Sequence, residues 1–390
     1  MSRICTIAWY EIDSVAEAGA KMLVLTGDSV RPFLRPVQVE KTLAWGRLRL
    51  PYRLLGTRRM CMLHDWVVAR KLPRLAGQID IIHAWPLGAL RTMKAARRLG
   101  IPVALERCNA HTRFAYEVVQ KECARIGVPL PPGHEHAFDP AILALEEKEY
   151  SLADVLLCPS EFTKNSFVDQ GFPRERLVRF IYGVDEKKFR PSDRPRNPNA
   201  GLKIIFVGVC AVRKGLHFAL EAWLASTACQ TGRFIIAGGF IPTYQEKLAS
   251  MLAHPSVEVL GHRNDIPELM RECDLFVLPS IEEGFGLVCT EAMASGCVPL
   301  VSDACTDLCR HGVNSMVHKV ADVKSLTGQI NQLHQNPMLL QNMRAACLAE
   351  IPLITWHAAG RLLVEAYRKA IHIHQSSLSS SQIDLARSKH

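Results

Sequence analysis

No uninterrupted apolar run in this chain approaches the roughly 20 residues that cross a bilayer. Acids interrupt the N-terminal stretch MSRICTIAWYEID and no long apolar core follows it, so a secretory leader is not expected there and the chain reads as cytoplasmic. Zinc-type Cys-x-x-Cys pairs are missing. The 13 cysteines are scattered, and several lie in apolar runs, as Cys158 and Cys297 do. They read as reduced thiols packed as small hydrophobes. Cys305, Cys309 and His311 are spaced like ligands but have no fourth partner. Asp-x-Asp, the pair that holds a metal against a diphosphate, is also absent, so neither a metal nor another cofactor is expected.

What is present points to two domains. The chain has 390 residues, 48% hydrophobic and 22% charged, too long for one ordinary core and typical of a globular protein. Its charge is lopsided. Residues 1–200 hold 31 Lys+Arg against 22 Asp+Glu, and residues 201–390 hold 16 against 16, so the net +9 sits in the first half. Within 31–107 the balance is 16 basic to 4 acidic. A basic half calls for an anionic partner, either an acidic acceptor or peripheral contact with an anionic membrane, or else it is a solvated face. Nucleic acid is not the expected partner.

Short apolar runs alternate with helical stretches, the pattern of parallel sheets with helices on both faces. MLVLTGD (22–28), IDIIHAW (79–85), PVALER (102–107) and DVLLCPS (154–160) read as buried strands of a first array. LKIIFVG (202–208), RFIIAGG (233–239), VEVLG (257–261), DLFVLPS (274–280) and CVPLVSD (297–303) form a second. The expected fold is α/β, with two Rossmann-like, doubly wound domains facing a cleft. The boundaries are 1–184 for the first domain, 185–200 for a Pro- and charge-rich linker, and 201–354 for the second. A helix at 355–375 crosses back to the first domain, and a Ser-rich tail at 376–390 is expected to be disordered. Met1–Tyr10 reads as a strand.

Ligands of such sheets bind outside the carboxyl ends of the strands. Two segments there carry chemistry. In PSIEEGFGLVCTEAMASGCVPLVSD (279–303) a strand ends, Glu283, Gly284, Phe285 and Gly286 follow, and a helix starts near Leu287. The glycines let backbone approach a ligand, and the first helical N–H groups are unpaired and suit a phosphate. Glu291 lies about one turn inside the helix, and Gly296 ends it as a left-handed cap. In VGVCAVRKGLHFALEAW (207–223) a strand ends at Gly208, and Arg213-Lys214-Gly215 opens a helix. Two adjacent cations there can neutralise a diphosphate.

In this order the two segments resemble the donor site of the family 4 retaining glycosyltransferases, which have the two-domain GT-B fold. That family carries a Glu-x7-Glu motif with an embedded Gly-Phe-Gly and a basic Lys-Gly turn upstream. Here these are Glu283 to Glu291, Gly284-Phe285-Gly286 and Lys214-Gly215. PSEFTKNSF (159–167), IYGVDEKKFRP (181–191) and GHRNDIPELMRECDLFVLPS (261–280) match further hallmarks.

The resemblance implies a hexosyltransferase using a UDP- or GDP-sugar and an unknown acceptor. Arg213 and Lys214 would hold the diphosphate, with Gly208 beside them. Glu291 would bond the ribose, and Glu283 the transferred sugar. The N–H groups of Phe285, Gly286, Leu287 and Val288 would cradle phosphate and sugar. The family's active-site histidine matches His111 in LERCNAHTRF, with His83 in IIHAW as second choice. Retention would proceed on the front face, the leaving phosphate taking the acceptor's proton.

Plainer roles stay open. Glu283 and Glu291 also read as a surface acid and a helix-first-turn acid, Arg213 as a surface charge, and His111 as a loop histidine with a structural hydrogen bond. Two departures from the family pattern stand out. Val209 occupies the position where most members have an arginine, and the Gly-Gly loop expected near the start is absent, Gly19 standing alone. A binding protein with weak or no activity, or a nucleotide-sugar epimerase on the same fold, are the alternatives.

Overall fold

The apolar runs of the second half are continuous rather than alternating because both faces of their sheet are covered. Ile204, Ile205 and Phe206 are all fully buried in the strand Lys203–Val207, as expected where helices pack on each side. The computed structural model describes residues 3–28, 31–45, 48–50, 52–193 and 201–387. In its C-terminal half six parallel strands lie in the spatial order Val257–Gly261, Arg233–Ala237, Lys203–Val207, Leu275–Leu278, Val298–Ser302 and Met316–His318. The order reverses between Lys203–Val207 and Leu275–Leu278, which are paired neighbours. That reversal is the topological switch point of a doubly wound sheet.

In the N-terminal half Ile82–Ala84, Val103–Glu106, Val155–Cys158 and Leu177–Arg179 form a parallel sheet in chain order. Leu23–Thr26 and Gln38–Lys41 form a separate parallel pair. The runs at 22–28 and 79–85 were expected to be buried strands. Leu23–Thr26 and Ile82–Ala84 are only half-buried, because each is an edge of its own sheet rather than a central strand.

The ends of the chain differ from expectation. The segment read as a strand over Met1–Tyr10 is, within the described residues, part of a helix, Arg3–Glu17. Ile7, Glu11 and Ser14 recur at intervals of four and three, so they share one helical face. That face packs on the last helix, Trp356–Arg387, so closely that a Cβ on Gly360 would overlap the Ser14 backbone. The last helix also lies against the strands Val103–Glu106, Val155–Cys158 and Leu177–Arg179. The segment from 376, expected to be disordered, continues this helix to Arg387. Its serines do not break the helix, since the hydroxyls of Ser376 and Ser377 donate to the carbonyls of His372 and Ile373 at 2.9 and 3.0 Å. Residues 194–200 of the linker lie outside the described residues.

The halves meet on both sides of the cleft. His217, in the helix Leu216–Ala225, places Nε2 2.8 Å from the Glu122 carboxylate of the helix Thr112–Ile126. Arg179 pairs with Asp307 at 3.0 Å.

Candidate active site

The two central strands of the C-terminal sheet deliver the two basic and acidic turns side by side. After Val207 the chain passes Gly208 at φ 145°, makes a tight turn at Val212–Lys214 and enters the helix Leu216–Ala225. After Leu278 it runs through 279–286 into the helix Leu287–Ala294. Ile281 N–H donates to the Arg213 carbonyl at 2.8 Å, tying the turns together. Gly215 sits at φ 67°, and a Cβ there would overlap the Pro279 carbonyl oxygen. Only glycine serves that left-handed position at such an approach.

Four charged side chains converge in this floor. Lys214 Nζ donates to Glu283 Oε2. Arg213 Nη1 donates to the Glu282 carbonyl at 2.9 Å and lies 3.4 and 3.6 Å from the carboxylates of Glu282 and Glu283. Glu283 and Lys214 are only 7% and 9% exposed. Burial pushes the Glu283 carboxyl up, but Lys214 and Arg213 outweigh it and hold it below the ordinary range. Two cations thus stand beside two carboxylates, and an arriving anion competes with glutamates for Arg213 and Lys214.

The helix Leu287–Ala294 starts from Gly286 at φ 73°. Among the described residues no acceptor meets the backbone N–H groups of Phe285, Gly286, Leu287 and Val288. They are the orphan donors of a helix start, beside the two cations. The Phe285 ring is buried against Tyr182, with centroids 5.3 Å apart. Glu291 is half-buried one turn further on. Gly296 closes the helix at φ 72°, its N–H bonded to Met293 O and that of Cys297 to Ala292 O.

The N-terminal half forms the opposite wall. A Cβ on Gly284 would overlap the Cys108 carbonyl oxygen, so this glycine is needed for the close approach of the halves. Its carbonyl accepts the hydroxyls of Ser160 and Thr163. Ala110 N–H donates to Glu282 Oε1 at 3.0 Å, and His136 Nε2 lies 3.4 Å from Glu282 Oε2. Glu282 is fully buried. Burial pushes its carboxyl up, but His136, Arg213 and the Ala110 N–H prevail and hold it at about 2.

His111 follows Ala110 directly. Its Nδ1 accepts from Arg113 N–H at 3.2 Å and so caps the helix Thr112–Ile126. Its ring packs on Tyr150 and Phe167 at 5.3 and 4.9 Å. Burial first, then the Arg107 and Arg113 charges, lower its pKa to about 4. The imidazole is therefore neutral at pH 7. With Nδ1 accepting, its proton is assigned to Nε2. The structural role left open for His111 is thus real, and it uses one of the two nitrogens.

The sequence profile described as Glycosyltransferase Family 4 matches residues 9–188, and that described as Glycosyl transferases group 1 matches residues 201–336. Between them they take in both halves and both walls of the cleft. The chain belongs to glycosyltransferase family 4. It is 23% identical over 344 residues to a D-inositol 3-phosphate glycosyltransferase of Nocardioides, covering 80% of this chain and 72% of that protein. It is 29% identical over 220 residues to a GDP-mannose-dependent alpha-mannosyltransferase of Mycobacterium tuberculosis, covering 54% and 52%. Among solved structures, HepE of Anabaena in complex with UDP superposes with a TM-score of 0.63 at 17% identity, covering 92% of this chain and 95% of that one. That superposition shows the GT-B fold.

In this family 4 chain the structure brings Arg213, Lys214, Glu283 and the 285–288 backbone together, and places His111 one residue beyond the Ala110 N–H that reaches Glu282 from the opposite wall. It separates His83 from them. His83 Nδ1 bonds the Tyr367 hydroxyl at 2.6 Å, and Nε2 lies 3.1 Å from Glu106. Glu106 also takes the Tyr182 hydroxyl at 2.6 Å. Glu11 of the first helix joins them, its carboxyl pushed well above the usual range by burial and by Glu106. This cluster ties the first and last helices to the N-terminal sheet. Val209 is 61% exposed, so the arginine usual at that position has no buried counterpart here. Sequence reasoning gave Glu282 no role, since the family motif begins at its neighbour Glu283. Only the fold shows that it spans both halves.

Proposed function

We propose that this family 4 glycosyltransferase moves a hexosyl group, with retained configuration, from a UDP- or GDP-sugar to an anionic acceptor, without a metal. The observation that carries this reading is the meeting of Arg213, Lys214 and the unpaired 285–288 N–H groups at one switch point, with Ala110, the residue before His111, on the opposite wall. Positive charge there stabilises a leaving nucleoside diphosphate. Arg213 and Lys214 take the diphosphate, Glu291 the ribose hydroxyls, and Glu283 the sugar hydroxyls. His111 offers Nε2–H to the sugar from the acceptor side. The acceptor's proton passes to the leaving phosphate on the same face, so no second carboxylate nucleophile is needed and the two-carboxylate scheme of glycosidases does not apply. The names of the relatives support the substrate classes: one uses GDP-mannose and another glycosylates an inositol phosphate, while the superposed structure holds UDP.

The test is incubation with UDP- and GDP-hexoses. Release of nucleoside diphosphate, and by NMR a product whose anomeric configuration equals the donor's, are expected. Inverted product overturns the retaining step. A second reading, binding without turnover, is favoured by Glu282, whose buried carboxylate already neutralises Arg213. Tight nucleotide binding with neither hydrolysis nor transfer would establish it.

A further inference from the structure

The strongest charge asymmetry of the molecule lies outside the cleft, on two packed helices of the N-terminal half, Tyr52–Leu75 and Leu90–Leu99. Every exposed ionisable side chain over 56–75 and 90–99 is basic. On the first helix Arg59 and Arg70 lie three turns apart on one face, Arg74 follows Arg70 at a spacing of four, and Arg58 stands at the margin of that face. On the second, Arg91, Lys94 and Arg98 share a face at intervals of three and four. The one acid of these segments, Asp65, is buried. It accepts the N–H groups of Arg91 and Thr92, each at 2.8 Å, and so caps the second helix. Arg91 Nη1 donates to the Met62 carbonyl at 3.1 Å, which makes the two faces one surface.

Two large apolar side chains stand in the middle of this basic face. Met62 is 45% and Trp66 44% exposed, and the Arg70 guanidinium lies 4.9 Å from the Trp66 ring centroid. A solvated face has no use for an exposed tryptophan and methionine ringed by arginines. An interfacial one does: the apolar groups enter the acyl boundary while the cations meet headgroups. Among the described residues no helix is long and apolar enough to cross a membrane, so such contact is peripheral.

We propose that this face is a docking surface for an anionic bilayer, with Trp66 and Met62 inserted and the arginines on lipid phosphates. Its position fits that use. The helix Leu90–Leu99 follows the carboxyl end of Ile82–Ala84, so Arg91 and Met62 lie toward the cleft rim. The inference does not depend on sugar transfer, since it concerns the chain without donor or acceptor.

The test is co-sedimentation of the full chain with phosphatidylglycerol-rich and with pure phosphatidylcholine vesicles, at low salt and at high salt. Binding is expected only to the anionic vesicles, and is expected to weaken strongly at about 1 M salt, where screening acts within about 3 Å. The triple variant Arg58→Ala/Arg59→Ala/Arg70→Ala is expected to bind on the order of 100-fold more weakly, about fivefold per side chain. All three side chains are exposed, so melting should be unchanged and confirms that the variant folds. Trp66→Ala is expected to weaken binding without changing its salt dependence. Equal binding to neutral vesicles, no binding to anionic ones, or full binding by the triple variant would overturn the proposal. Retention of inorganic polyphosphate by wild type, with no vesicle binding, would assign the face to a soluble anion instead.

Discussion

Glu282→Gln probes how the halves are held over the site. The substitution keeps the side chain's shape and an oxygen for the Ala110 N–H, but removes the charge that faces Arg213 and His136. Taking one partner from a buried ion pair costs roughly 3–5 kcal/mol. Here Arg213 keeps the Glu282 carbonyl and Glu283 as partners, so the lower end applies. A second route gives a similar size. The carboxyl is held at about 2, against about 4.3 for an ordinary glutamate, which corresponds to about 3 kcal/mol of stability at neutral pH. Because this folded-state pKa is depressed, that stability is complete above the unfolded value and is lost only as pH falls through the folded one. The gap between wild type and Glu282→Gln should therefore be present at pH 5 and shrink below that. Urea denaturation across this range reads the gap. A two-domain chain need not unfold in one step, so hydrogen exchange at residues 108–112 locates the effect. If the urea midpoints coincide and exchange at 108–112 is unchanged, Glu282 does not hold the cleft.

Three further outcomes are expected. Glu291→Ala should raise the nucleotide dissociation constant in calorimetry by roughly 10- to 100-fold, the worth of a charge-assisted hydrogen bond of about 1.5–3 kcal/mol; an unchanged constant removes Glu291 from the ribose. Transfer should persist in excess chelator, because Arg213, Lys214 and the helix start supply the positive charge; full loss restored by Mn²⁺ refutes this. Glu149, buried but accepting from the N–H groups of Leu87 and Ala89, is pushed up to about 7 chiefly by burial. Its raised value contributes stability that is complete below the unfolded pKa and lost as pH rises through 7. Wild type should therefore lose roughly 1 kcal/mol relative to Glu149→Gln between pH 6 and 8.5, read from urea midpoints, and parallel curves would contradict it.

Local pattern alone was enough for much of this protein. Runs such as LKIIFVG and DLFVLPS read as strands because they are short, rich in β-branched and aromatic residues and bounded by turn residues, as strands buried on both faces are. Gly286, Gly215 and the Gly296 cap were readable because their left-handed conformations demand glycine locally, whereas Gly284 is required by the approach of Cys108 from the other half. What pattern could not supply was anything that depends on distant partners. Arg3–Glu17 is a helix because its buried face meets Gly360, some 350 residues away, and the tail past 376 stays helical by extending that same partner helix. Glu282, His136 and the Ala110 N–H are separated widely in sequence and joined only by the closing of two halves. His111 was found by motif, but whether it is charged and which nitrogen remains free follow from burial and from Arg113. Spacing within an element fixes conformation, since it acts through neighbouring residues. The charge state and partner of a buried group depend on what the tertiary fold packs beside it.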